Sequence, residues 1–202
     1  MVYHAFLALS RVRSTLRIIA GEYKGLRLAT PKGKRLRPTA DRVREDIFNI
    51  LGYDLSELWV LDLFAGTGAM GLEALSRGAG FVVMVDQHPA AIQLIGRNLA
   101  ACGNPKHAKV YKLDLRRGLK GLENQDYTFD LVFLDPPYGR GLTQLCLEQL
   151  GTGKLLNTAA TVVSEHAIDE NLTPTYGCLH RQTMRMYGTT GVSFYSRGEE
   201  KQ

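Results

Sequence analysis

The chain has 202 residues, 45% of them hydrophobic, and carries a formal net charge of +5. This length and composition suit one catalytic domain with a small appendage, and no internal repeat or low-complexity tract interrupts it. Its three cysteines, Cys102, Cys146 and Cys178, are odd in number and scattered, which argues against a disulfide framework or a zinc site and for a reducing cytosol.

At the N-terminus, Val2 to Leu9 is apolar but too short to span a membrane. It has no basic residue ahead of it, and Arg11 and Arg13 follow on the wrong side for a signal peptide. We therefore expect a cytoplasmic protein with no membrane partner. Between Arg11 and Arg44 stand eleven Lys and Arg against two acids, Glu22 and Asp41, so this segment carries +9 and the remainder −4. Such a concentration ahead of an enzymatic core reads as an arm that tracks phosphates, with an ordinary solvated face as the plainer alternative. Its candidate phosphate-contacting residues are Arg17, Lys24, Arg27, Lys34, Arg35, Arg37 and Arg42.

Leu16 to Leu28 carries two short apolar runs around glycines and predicts a small hairpin. A basic loop from Thr30 to Arg37 follows. From about Thr39, Val43, Ile47, Ile50 and Leu51 recur at helical spacing. After Gly52 the pattern alternates between strand and helix, which predicts an α/β doubly wound, mostly parallel sheet. Strands are expected near Trp59–Phe64, Phe81–Asp86, Ala108–Leu113, Phe129–Leu134 and Ala160–Glu165. Helices are expected over Ala69–Arg77, Pro89–Cys102, a short turn after Asp114, and Leu142–Leu150. Cys178–Tyr187 and Val192–Tyr195, around Gly188 to Gly191, predict an antiparallel hairpin that closes the sheet. A sheet ending in this way is Rossmann-like in the manner of methyltransferases, not of dinucleotide dehydrogenases.

The first strand runs into Ala65-Gly66-Thr67-Gly68-Ala69-Met70-Gly71, a glycine loop at a strand-to-helix turn. Such loops allow close backbone approach to a ligand and offer unpaired N–H groups to an anion. Asp86, twenty residues after Gly66, suits two ribose hydroxyls, and Asp114 suits an adenine amino group. The plainer reading of both aspartates is a turn or a helix cap. With Asp62, Phe64, Ala65 and Leu115, these residues form a candidate cofactor site for S-adenosyl-L-methionine, although the loop and Asp86 alone would also suit NAD.

The most specific motif is Asp135-Pro136-Pro137-Tyr138, after the apolar strand Leu131 to Leu134. The prolines stop the strand and fix the backbone. If the Asp135 carboxylate and the Pro136 carbonyl each accept an N–H bond from an exocyclic base amine, the lone pair of that amine is aimed at a methyl donor. Tyr138 would stack on a base withdrawn from its helix. The catalytic candidates are thus Asp135, Pro136 and Tyr138, and no metal is called for. His88 reads as an inert helix-start residue, and Glu165 and His166 read as structural.

Taken together, these residues resemble a bacterial family that methylates the exocyclic N2 amine of a guanine in 16S rRNA. The resemblance runs from Arg17 to Arg197. Beyond the two motifs above, it rests on Arg17 to Gly21, Arg37-Pro38-Thr39, Arg42 to Glu45, Phe48-Asn49 and Glu73 to Ala79. It implies a Rossmann-like core over 53–202, a small RNA-holding hairpin and helix over 15–52, and a substrate in the small ribosomal subunit or its assembly intermediate. It further implies that Arg37-Pro38-Thr39 and the helix after it lie near cofactor and target base. Residues 1–14 precede the resemblance and are expected to form a disordered extension. Asp86-Gln87-His88 departs from the acidic pair expected there. Rival readings are an adenine-N6 or other nucleic-acid amine methyltransferase, an NAD-dependent oxidoreductase, which leaves Asp135 to Tyr138 idle, and a catalytically silent RNA-binding assembly factor.

Overall fold

In β1 (Trp59–Leu63) successive side chains enter opposite layers: Val60 joins one hydrophobic cluster and Leu61 and Leu63 the other. A strand buried on both faces is what a parallel sheet covered by helices requires. The structure is a computed structural model that describes residues 16–31 and 38–198. Lys34, Arg35, Arg37 and the extension 1–14 lie outside the described residues. β2 (Phe81–Asp86), β3 (Ala108–Lys112) and β4 (Phe129–Leu134) keep the expected spans to within a residue. β5 (Leu156–Ala167) is longer than expected, because its first residue pairs with Phe129 beyond a bulge and its last pairs with the C-terminal hairpin.

The helices are α1 (Pro38–Leu51), α2 (Ala69–Ser76), α3 (Pro89–Ala101), α4 (Lys120–Glu123) and α5 (Leu142–Thr152), with a 3-10 turn at Leu115–Arg117. Pro89 opens α3, where its missing donor costs nothing. The buried face of α1 is Val43, Ile47 and Phe48, whereas Ile50, expected on that face, is exposed.

A two-residue strand β6 (Thr175–Tyr176) precedes β7 (Leu179–Tyr187) and β8 (Thr190–Arg197). The sheet order is β3-β2-β1-β4-β5-β8-β7-β6, parallel as far as β5 and antiparallel thereafter. The expected antiparallel hairpin is therefore present, turning at Gly188-Thr189 with Gly188 at φ 63°. The order reverses between β1 and β4. Open α/β sheets bind ligands at such a point, beyond the carboxyl ends of the strands.

The N-terminal segment docks on this frame through its backbone. Leu28 N donates to Leu16 O and Ile18 N to Leu26 O, around a single antiparallel bridge between Arg17 and Arg27. Full hairpin strands do not form: the arm's own turn and groups of the core take the other donors. Buried Glu73 accepts from Ile19 N at 2.7 Å and Ala20 N at 3.0 Å, and Ser76 Oγ accepts from Tyr23 N at 2.9 Å. Glu73 is itself paired with Arg77 at 2.9 Å, and the Arg77 guanidinium lies 4.6 Å from the centre of the Phe48 ring. Asn98 Oδ1 accepts from Ala29 N at 2.7 Å, while its Nδ2 donates to Thr67 O at 2.8 Å. The arm is thereby tied directly to the glycine loop. Leu16, Ile18, Leu28, Val43, Ile47 and Phe48 share one hydrophobic cluster with Val60, Met84 and Phe133 of the sheet.

Candidate active site

Strand register assembles the site. Leu63 is level with Val85 on β2 and Leu134 on β4, and Leu134 is level with Ser164 on β5. The next residue on each strand therefore falls in one row: Asp86, Phe64, Asp135 and Glu165, with neighbours spaced by roughly 4.8 Å across the sheet. Two residues earlier, Asp62, Phe133 and Val163 form a second row on the face of Asp135 and Glu165, while Phe64, where the backbone leaves the strand, packs on the opposite cluster with Leu61 and Leu63.

The glycine loop turns sharply away from β1. Phe64 has φ 61°, a left-handed conformation that costs a non-glycine residue on the order of 1–3 kcal/mol and recurs at ligand sites. Gly68, at φ 76°, caps the start of α2 without a side chain. A Cβ on Gly71 would lie 2.8 Å from Met84 Cγ, so this glycine lets α2 pack closely on β2. Asp62, buried behind the loop, accepts from Gly71 N at 2.9 Å. Burial pushes its carboxyl up to about 7, against the lowering effect of the Gly71 bond and with a smaller push from Asp86. Asp86 accepts from Gly66 N at 3.0 Å and His88 N at 2.8 Å, bracing the loop against the start of α3.

Two cavities open on this row and share Phe64 and Asp135. One, of about 260 Å³, runs beneath α1 and is lined by Asp41, Arg44 and Ile47, by Asp62, by Ala65 to Thr67, by Asp135 and by Glu165. The other, of about 580 Å³, is lined by Phe64, by Asp86 to His88 and by Asp135 to Tyr138. Asp135 is open to the cleft, yet crowding by protein raises its carboxyl well above the usual range, with further pushes from Glu165 and Asp62. The Tyr138 hydroxyl donates to Glu165 Oε1 at 2.8 Å and lies 3.2 Å from Thr190 Oγ1, and the residue is 39% exposed.

The structure thus brings together Asp62, Phe64, Ala65, Gly66, Asp86, Asp135, Pro136 and Tyr138. Asp114 and Leu115 line neither cavity. The Asp114 carboxylate takes Arg116 Nε and Nη2 at 2.8 Å each and caps the 3-10 turn, and the Arg116 bond holds it down to about 2. An adenine amino group would have to share Asp114 with Arg116. Leu115 is buried. His88 stands 3.1 Å from Asp86 with its side chain largely in solvent. Buried His166 is satisfied by Ser193 Oγ and Ala167 O, each at 2.9 Å.

Glu165, read from the sequence as structural, lines the site, and so do Asp41, Arg44 and Ile47 of α1, the helix that the resemblance places near cofactor and base without giving these residues a role. Alternation along β5 places Glu165 on the face of Val163, but the pairing of β5 with β4 is what sets it beside Asp135. Arg44 donates to Arg17 O at 2.7 Å and lies 3.4 Å from Asp41, so it joins α1 to the arm. Arg17, Lys24 and Arg27 sit on the docked arm and Arg42 on α1. Among the described residues no group of His, Cys, Asp and Glu could hold a metal ion, and no helix is long and apolar enough to cross a membrane.

A family described as Conserved hypothetical protein 95 matches residues 16–196. The chain belongs to this family. The match to Conserved hypothetical protein 95 takes in the arm, the glycine loop and Asp135 to Tyr138 together. Among similar proteins is the "Ribosomal RNA small subunit methyltransferase D" of Escherichia coli (strain K12), 34% identical over 186 residues that cover 90% of this chain and 90% of that one. The protein of the same name from Haemophilus influenzae is also 34% identical and covers 91% of this chain and 93% of that one. A solved Escherichia coli structure, provisionally described as the methyltransferase yhhF, superposes with a TM-score of 0.80 at 32% identity, covering 92% of this chain and 99% of that one. These matches bear out the resemblance read from the motifs and the Rossmann-like methyltransferase fold.

Proposed function

We propose that this protein transfers a methyl group from S-adenosylmethionine to the exocyclic N2 amine of a guanine in small-subunit rRNA, in the cytoplasm, on the subunit or an assembly intermediate. The observation that carries the reading is the row that sets Asp135 beside Phe64 and Glu165, in a cavity shared with the glycine loop. Among the described residues lining it, Asp41, Asp62, Asp135 and Glu165 accompany one cation, Arg44, and an acid-rich lining suits a cationic sulfonium. It would repel the pyrophosphate of NAD, which counts against a dehydrogenase. The relatives' names supply the small-subunit rRNA, and the resemblance supplies guanine N2.

When bound, S-adenosylmethionine supplies an electrophilic methyl on a positively charged sulfur. Thr67 N within the glycine turn and the N-terminus of α2 would offer backbone donors to its carboxylate, and Asp86 would offer acceptors to its ribose. Asp135 and the Pro136 carbonyl hold the target amine and stabilise the positive charge that develops on it. Tyr138, its hydroxyl anchored on Glu165, presents its ring to the base. Arg17, Lys24, Arg27, Lys34, Arg35, Arg37 and Arg42 supply the phosphate contacts.

The test is transfer of labelled methyl to small subunits lacking the modification, with the product nucleotide mapped. Label should appear on a guanine N2 and fall by about 100-fold or more in Asp135→Ala, the usual loss when a positioned charge-stabilising group is removed. Absence of transfer by the wild type to any RNA, with cofactor bound, would overturn the reading in favour of a silent assembly factor.

A further inference from the structure

The proposed reaction uses Glu165 only to anchor the Tyr138 hydroxyl. We infer that Glu165 selects the base, accepting the N1–H of guanine while Asp135 accepts from the adjacent N2 amine. The inference rests on the guanine reading above and deepens it.

Three observations carry it. Glu165 and Asp135 are consecutive in the row across β4 and β5, on neighbouring parallel strands, and both line the cavity beneath α1. The Tyr138 hydroxyl fixes Oε1 of Glu165 at 2.8 Å, which leaves Oε2 without a partner among the described residues. Tyr138 lies in the motif that would hold the base, so the same bond ties Glu165 to the position of the ring.

Two carboxylates side by side repel each other and are relieved by two donors presented together. Guanine offers that pair, because N1–H and the N2 amine are adjacent on its Watson–Crick edge. Adenine does not: its N6 amine is flanked by lone pairs at N1 and N7, either of which would face a carboxylate. A buried acceptor left opposite a lone pair loses its bond and gains a repulsion, and sites built on such a bond reject the mismatched analogue strongly. Glu165 thereby separates guanine N2 chemistry from adenine N6 chemistry on a shared Asp-Pro-Pro-Tyr motif.

The experiment replaces the mapped target guanine with 2-aminopurine in reconstituted small subunits. This base keeps the C2 amine but has a lone pair at N1. The wild type should show kcat/KM on 2-aminopurine about 100-fold below guanine or lower. In Glu165→Gln, whose amide can turn its NH2 toward N1, the gap should narrow at least tenfold. Equal losses on both bases would make Glu165 a structural residue and overturn this inference, leaving the guanine reading intact. Equal wild-type rates on the two bases would overturn it without any variant, which covers the case of a variant that does not fold. Wild-type transfer to an adenine amine, or to neither base, would overturn both readings together.

Discussion

Replacing Glu73 by Gln tests how the arm is held to the catalytic domain. The Glu73 carboxylate is fully buried and accepts three bonds at 2.7–3.0 Å, from Ile19 N, Ala20 N and Arg77 Nε. Gln keeps the volume but offers one acceptor oxygen, and its amide NH2 must face another donor. Arg77, also buried, then loses its charge partner among the described residues, and its guanidinium is left over the Phe48 and Tyr53 rings. Removing one member of a buried pair costs about 3–5 kcal/mol, most of it the burden of the charge left behind. For a domain of this size that corresponds to a Tm lower by roughly 6–20 °C. Urea unfolding should show the same loss, and the Ile19 and Ala20 amides should exchange with solvent faster than those of β1. Changing Arg77 to Met as well should restore part of the stability, because the orphaned charge is then gone. A loss below about 1 kcal/mol in Glu73→Gln, with Ile19 and Ala20 still protected, would refute the argument.

Gly21→Ala should release the same arm by a steric route, since a Cβ there would lie 1.6 Å from Ser76 O at a backbone φ of +81°; limited proteolysis should cut between residues 16 and 31 in this variant and spare the wild type. Asp62 is protonated more readily in the folded chain than in the unfolded one, so its contribution is fully present below the ordinary carboxylate range near 3.8 and is lost as pH rises to about 7. Asp62→Asn, which keeps an acceptor for Gly71 N, should therefore gain on the wild type in urea midpoints across that window and hold its advantage above it; parallel curves would exclude the effect. For RNA binding, the slope of log K against log salt should fall by about 0.7–0.9 for each phosphate contact removed when Arg17, Lys24, Arg27 and Arg42 are changed to Gln, and an unchanged slope would take the arm out of the interface.

Much of this protein is legible along the chain because its signals are local. Apolar runs bounded by turn residues set the strands, and glycines that tolerate left-handed backbone mark the loop after β1. The prolines after Asp135 stop β4 at one residue. Local signals also mark turns and caps with the same residues that suit a ligand. Asp114 matched a cofactor pattern, yet its carboxylate caps a turn and binds Arg116 two residues on, an interaction as local as the pattern that suggested it.

What the sequence by itself determined is the alternation of elements, the glycine loop, the Asp-Pro-Pro-Tyr ending of β4 and the charge of the arm, each a property of neighbouring residues. Only the tertiary structure decided which strand ends meet. The row of Asp86, Phe64, Asp135 and Glu165 joins residues up to 101 positions apart from Phe64 onward, through inter-strand register. The docking of the arm was likewise decided there, because Glu73, Ser76 and Asn98 look like ordinary helix residues until a distant backbone arrives to use their oxygens. Register and docking depend on burying both sheet faces at once, a constraint on the whole chain that no short window of sequence contains.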